Sequence, residues 1–299
     1  MKIADLVNFY DSEFTKLIFE ERKNIAGKPY YILYLHNTNK EPEYFSSAFL
    51  HYLPFYVHSK EQLDSFDDGS IKAELCTSSK RLWKTSPLIK SRKNEVNGIY
   101  GELFLDFYLK IVKKYKTFVV YANLVSYENN DEIKGFDNFT YYLNEEDIYL
   151  TLGEAKFVCS KSNAKTELLN DVDNHIKKSY FKDYSSFVFG KGSSEDDSHV
   201  IYDLLVRMNS KLNKDEKLSY LDLLKDENIK LHFVYFAIFT SNQFSTDDYD
   251  DFCNDLYKSF DDHVKREFPE FDISIDIVLV PIINKSLDIK NKIDEVCND

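Results

Sequence analysis

The stretch Asp147-Ile-Tyr-Leu-Thr-Leu-Gly-Glu-Ala-Lys-Phe-Val158 decides the fold. It predicts a strand that is apolar on both faces except for two charges near its end, Glu154 and Lys156. Side chains alternate along a strand, so Leu150, Leu152, Glu154, Lys156 and Val158 share one face, and Thr151, Gly153, Ala155 and Phe157 the other. A carboxylate and an ammonium in an apolar strand are costly to bury unless they pair, hold a metal or do chemistry.

Just before it, Gly135–Leu143 predicts a second strand, and Asn144–Glu146 a tight turn. The two strands form a β-hairpin. Counting outward from Glu145–Glu146 sets Asp137 opposite Glu154, to within one or two residues of register. Further upstream, Glu95–Lys114 predicts a helix that is apolar over most of its circumference. Its polar residues Glu102, Asp106 and Lys110 fall every four positions and form one stripe. Taken alone, that helix favours an exposed stripe with an Asp106–Lys110 pair. The alternative turns Glu102 into an active site.

After residue 116, strands alternate with helices: Thr117–Ser126, the hairpin, a helix over Thr166–Lys178, a short strand at Phe187–Phe189, helices over Asp197–Asn209 and Ser219–Leu224, a strand over Leu231–Phe239, an acidic amphipathic helix over Thr246–Glu267, a strand over Ile273–Ile282 and a helix over Ser286–Val296. This order predicts an α/β layered core with a central mixed sheet flanked by helices. Residues 1–90 read as an N-terminal α+β lobe and 91–299 as the core. Within the lobe, Asp11–Glu21 predicts a short helix, Tyr30–His36 a strand, and Pro42 opens a helix that Pro54 should end or kink. Asp64–Ser70 is a loop.

The chain has 299 residues and a formal net charge of −13, which argues against a protein that grips nucleic acid with its whole surface. Its densest basic stretch is Ser78–Lys93, with Trp83 in its midst. That run is either a nucleic-acid or partner contact or, the plainer reading, a solvated linker. The four cysteines are scattered, with no zinc or disulfide spacing. No signal peptide and no apolar run long enough to cross a membrane is present, so a cytoplasmic setting is expected. Gly190-Lys191-Gly192-Ser193 lacks the earlier glycine and the hydroxyl residue after lysine that a phosphate loop requires. His175 reads as a surface or half-buried histidine that reaches the site only if its helix packs across it. Lys161 and Lys165 read as a solvated helix start.

Glu102, Asp137, Glu154 and Lys156 together suit metal-dependent hydrolysis of a phosphodiester. Carboxylate oxygens, with the Ala155 carbonyl as a further ligand, hold Mg2+ or Mn2+. Lysine orients or deprotonates the attacking water, or stabilises the transition state. A buried Glu154–Lys156 or Asp137–Lys156 ion pair explains the same residues without chemistry. Glu-x-Lys alone discriminates nothing, since Glu21–Lys23 and Glu132–Lys134 also match it in polar surroundings.

The order of a helical Glu102, then Gly135-Phe-Asp137-Asn, then Leu152-Gly-Glu154-Ala-Lys156-Phe resembles the PD-(D/E)xK nuclease superfamily. The proline before the aspartate is absent, and Phe136–Asp137 fills its place. With Gly98-Ile-Tyr-Gly-Glu102-Leu-Phe added, the chain is more narrowly similar, over roughly residues 90–290, to HamA, the nuclease-subunit family of the Hachiman anti-phage system. This resemblance implies a restriction-endonuclease-like core and a Mg2+-dependent deoxyribonuclease. It implies Asp137 and Glu154 as metal ligands, Glu102 as an auxiliary ligand and Lys156 as catalytic lysine. It also implies a HamB-like helicase partner that restrains or releases the nuclease and supplies the grip on DNA. A catalytically silent subunit that regulates the helicase, and an RNA-cleaving effector with the same site, remain as rival expectations.

Overall fold

The computed structural model describes residues 18–35, 40–57, 77, 79–84, 98–118, 135–145, 147–180, 200–214, 218–241, 247–284 and 286–298. Among the described residues seven strands form one sheet: β1 (Ile18–Ile25), β2 (Lys28–Leu35), β3 (Lys116–Thr117), β4 (Asn138–Asn144), β5 (Asp147–Val158), β6 (Lys230–Thr240) and β7 (Ile273–Ile282), in spatial order β1-β2-β7-β6-β5-β4-β3. β2, β7, β6 and β5 run parallel, and β1, β4 and β3 attach antiparallel at the flanks. The sheet is thus mixed, as expected of an α/β fold. Its middle strand, β6, is buried from Leu231 to Phe239, and a strand covered on both faces has no polar side to present.

The helices are α1 (Glu41–Val57), α2 (Gly98–Phe107), α3 (Lys161–His175), α4 (Val200–Leu212), α5 (Tyr220–Asp226), α6 (Asp247–Glu267) and α7 (Ser286–Asn298). α2 runs on into a π-helical turn, Tyr108–Val112. Glycine lets α2 approach β5 closely. A Cβ at Gly101 would lie 3.3 Å from the Lys156 carbonyl carbon, and one at Gly153 would lie 2.7 Å from Leu105 Cδ2 and 3.1 Å from Asn138 Cβ. Gly153→Ala is therefore expected to overpack this layer and lower stability by about 1–3 kcal/mol, measured by chemical denaturation. An unchanged midpoint would mean that α2 stands further from the sheet.

Several expectations change. Residues 18–21, expected to end a helix, belong to β1. They pair with Ile32–Leu35 across a tight turn in which Ala26 and Gly27 take positive φ. Pro54 does not end α1, which continues to Val57. The buried Phe49, Tyr52, Leu53 and Tyr56 hold the helix together where proline removes one backbone donor. Within the basic stretch, residues 79–84 are helical. Trp83 is buried there against Phe49 and Tyr100, so this part of the run is no solvated linker. Of the strand expected at 117–126, Thr117 pairs with Thr140, beside a Lys116–Tyr141 pair just ahead of it, and residues 119–126 lie outside the described residues. The loop at 64–70, the strand at 187–189 and the Gly190–Ser194 turn lie outside the described residues.

β1 and β2, from the first ninety residues, share the sheet with the later strands, because β2 pairs with β7. α1 is tied to the end of β7 by Glu41. Its buried carboxylate accepts the backbone N–H of Ile283 (2.9 Å) and of Asn284 (2.9 Å), and the Asn284 side-chain amide (3.0 Å). Glu41→Ala removes a charged acceptor from three donors and is expected to cost about 2–3 kcal/mol in a urea melt. A loss under about 0.5 kcal/mol, the range of an ordinary surface change, would show that water replaces the carboxylate.

Candidate active site

The β4–β5 register places the first two acids. Asn138 pairs with Gly153, so the next residue outward, Asp137, comes across from Glu154. Asp137 Oδ2 accepts the Ala155 N–H at 2.8 Å, which ties it to the Glu-Ala-Lys segment. Glu154 is only 2% exposed. Glu102 comes from α2 and is also buried, with Oε2 accepting the Tyr56 hydroxyl at 3.1 Å. One turn on, Asp106 accepts from Tyr52 (2.7 Å), from Asn138 Nδ2 (2.6 Å) and from Lys110 (3.0 Å). The Asp106–Lys110 pair thus forms as expected, but the stripe is not exposed. α1 covers it, and two tyrosines of α1 reach two acids of α2.

α3 brings Asp171, which sequence reasoning missed, and His175, which it placed here only on condition that this helix packs across the site. Asp171 Oδ2 lies 2.7 Å from Lys156 Nζ, and His175 Nδ1 lies 2.5 Å from Glu154 Oε1. Neither Glu154–Lys156 nor Asp137–Lys156 is the pair formed; among the described residues the lysine pairs with Asp171. His175 is half-buried, one of the two expected settings, and reaches the site because its helix packs across it. Its ring stacks on Tyr180 (centroids 4.5 Å apart, 15°) and meets the edge of Phe136 (5.5 Å). Aspartate and histidine one turn apart lie on one helix face. They continue the stripe of Ala164, Leu168 and Val172 that α3 buries. That spacing was the available signal. What it could not give was the direction in which α3 crosses the sheet.

The electrostatics follow from crowding. Burial raises the Asp137 pKa well above the usual carboxylate range, and the charges of Glu102 and Glu154 raise it further against Lys156 and the Ala155 N–H. Burial, then Asp171 and Glu102, raises Glu154 in the same way, with Lys156 opposing. Burial alone would pull the Lys156 pKa down, but Asp137, Asp171 and Glu154 outweigh it and hold the ammonium charged. Burial lowers His175, so a neutral imidazole that donates from Nδ1 fits its contact with Glu154.

A family model described as HamA matches residues 9–296, nearly the whole chain. The chain belongs to the HamA family. It is therefore a component of Hachiman anti-phage defence. No curated protein matches it. The HamA match spans all seven strands, the α1 tyrosines and both α3 residues, so the whole site lies within the family's extent. Among the described residues no helix is long and apolar enough to cross a membrane.

Proposed function

We propose that this chain is a metal-dependent deoxyribonuclease with a restriction-endonuclease-like core, the DNA-degrading effector of its defence system. One observation carries the reading. Glu102 of α2, Asp137 just before β4 and Glu154 of β5 meet in a buried site, where burial and then neighbouring charges, that of Glu102 among them, raise Asp137 and Glu154 well above the usual carboxylate range. Such crowding is unfavourable for the protein alone and is relieved by a divalent cation. Oxygen donors of this kind suit Mg2+ or Mn2+. Glu154 and Asp137 would hold the ion, with Glu102 as auxiliary ligand. When bound, it supplies Lewis acidity and a water of lowered pKa. Lys156 stands on the same strand face as Glu154. As a persistent cation it is suited to stabilising charge that develops on a phosphate, and less suited to act as a base.

An acidic chain of net charge −13 is poorly equipped to hold DNA unaided, which supports a helicase partner that supplies the grip. The Lys156–Asp171 pair favours a second reading, in which the residues satisfy one another structurally and the subunit is silent. The deciding experiment is cleavage of DNA and of RNA by the purified chain with Mg2+ or Mn2+, alone and with a HamB-like helicase, wild type against K156A. DNA cleavage that needs Lys156 supports the proposal. RNA cleavage alone would reassign the substrate. No cleavage in any combination, with normal folding and helicase binding, would establish the silent subunit.

A further inference from the structure

We infer that Asp171 and His175 of α3 are positioning residues that divide the site's arrangement between them: His175 sets the metal-binding carboxylate Glu154, and Asp171 sets the ammonium of Lys156. The inference rests on the nuclease reading and deepens it.

Among the described residues, the hydrogen bond that Glu154 accepts comes from His175 and is made at Oε1, which leaves Oε2 to face a cation. The imidazole is held on two sides, by the stacked Tyr180 ring and the Phe136 edge, so its Nδ1 is aimed before any ligand arrives. Phe136 directly precedes Asp137, so the same ring contact couples the histidine to the segment that carries the second acid. Asp171 acts on the other member of the Glu-Ala-Lys pair, at 2.7 Å. Lysine has four rotatable bonds, and without an anchor its ammonium would sample a wide volume. α3 is itself anchored: its Asp173 lies 3.4 Å from His263 Nε2 of α6, and its Lys165 pairs with Asp255. These exposed pairs add little by themselves; the buried face of Ala164, Leu168 and Val172 seats the helix and makes it a rigid mount for both contacts.

The two roles give different losses. Outer partners that orient metal ligands typically change affinity by about 10–100-fold. His175→Ala should therefore weaken Mn2+ binding to the full-length chain by about that factor, as followed by Mn2+ titration with electron paramagnetic resonance. Turnover at saturating Mn2+ should stay within a few-fold. His175→Gln, which keeps a side-chain N–H donor, should recover part of the affinity and stands in if the alanine variant fails to fold. Asp171→Asn should change Mn2+ affinity by no more than a few-fold, because loss of its charge eases ionisation of Glu154 but also removes attraction for the cation, and should lower kcat on DNA by about 10²-fold, the effect of misplacing a catalytic group by about 1 Å, with KM little altered. Asp171→Glu should restore part of it.

Unchanged Mn2+ affinity in folded His175→Ala or His175→Gln overturns the histidine's role. Unchanged kcat in Asp171→Asn overturns that of the aspartate. Equal loss of affinity and turnover in both variants would mean that α3 merely holds the fold, and overturns the division. A wild-type chain that binds no Mn2+ and cuts no DNA defeats the nuclease reading and this inference together, which separates the two failures.

Discussion

Mg2+-dependent DNA cleavage is expected to fall by at least about 10²–10³-fold when Lys156 is replaced by alanine, the range seen when one preorganised stabilising group is removed from a transition state. The loss should not trace to unfolding. Lys156 pairs with Asp171, and neither side chain is fully enclosed: 20% and 14% of their surface remains exposed. Deleting the lysine leaves a half-buried acid without its partner, which sits at or below the about 3–5 kcal/mol that breaking a fully buried pair costs. The acid's pKa is already raised by burial, so it can protonate and escape part of that penalty. The double variant Lys156→Ala/Asp171→Ala separates the effects. Stability should return towards wild type, because no orphaned charge remains, while cleavage stays lost. Cleavage that recovers in the double variant would remove Lys156 from the chemistry.

The second large effect concerns Glu154. Glu154→Gln in the metal-free chain is expected to be neutral or stabilising at neutral pH, in contrast to the about 3–5 kcal/mol lost when a buried ion pair is broken. An amide keeps the oxygen that accepts from His175 and discards the charge that Asp171 and Glu102 oppose. The sign of the pH dependence follows. Glu154 and Asp137 have folded pKa values well above their unfolded ones. Their contribution is fully present below the unfolded carboxylate range, about 4, and is lost as pH rises through the folded values. Metal-free wild type should therefore melt at progressively lower temperature across that window in a chelating buffer. Mg2+ should flatten the decline, and Glu154→Gln should both flatten it and abolish the Mg2+ response. A melting temperature that rises with pH and ignores Mg2+ would point to a structural cluster and to the silent subunit.

Much of this was legible in the sequence because it depends on local periodicity. The alternation of Asp147–Val158 gives the two faces of β5, and a two-residue turn fixes the hairpin register. Asp137 therefore lands beside Glu154 by counting alone. Glu102 recurs with Asp106 and Lys110 every four residues, which places them on one stripe but leaves its surroundings open. The expected exposure failed because α1, some fifty residues upstream, lays Tyr52 and Tyr56 over the stripe. Trp83 sits in a basic run that reads as solvent-facing until Phe49 and Tyr100 are seen to enclose it. The helix expected at 11–21 failed where residues 18–21 join a sheet edge, because pairing with β2 overrides local propensity.

By itself, then, the sequence determined what repeats over two, four or a few residues: most of the described strands and helices, the charged pair in an apolar strand, and the hairpin that delivers a second acid to it. Tertiary structure alone decided which partners those charges meet. Asp171 and His175 reach the site only because α3 crosses the Glu154 face of the sheet, and Glu41 clamps β7 from more than two hundred residues away. Contacts of that kind depend on how layers stack, and stacking is set by close fits such as Gly101 of α2 and Gly153 beneath it, which no local pattern records.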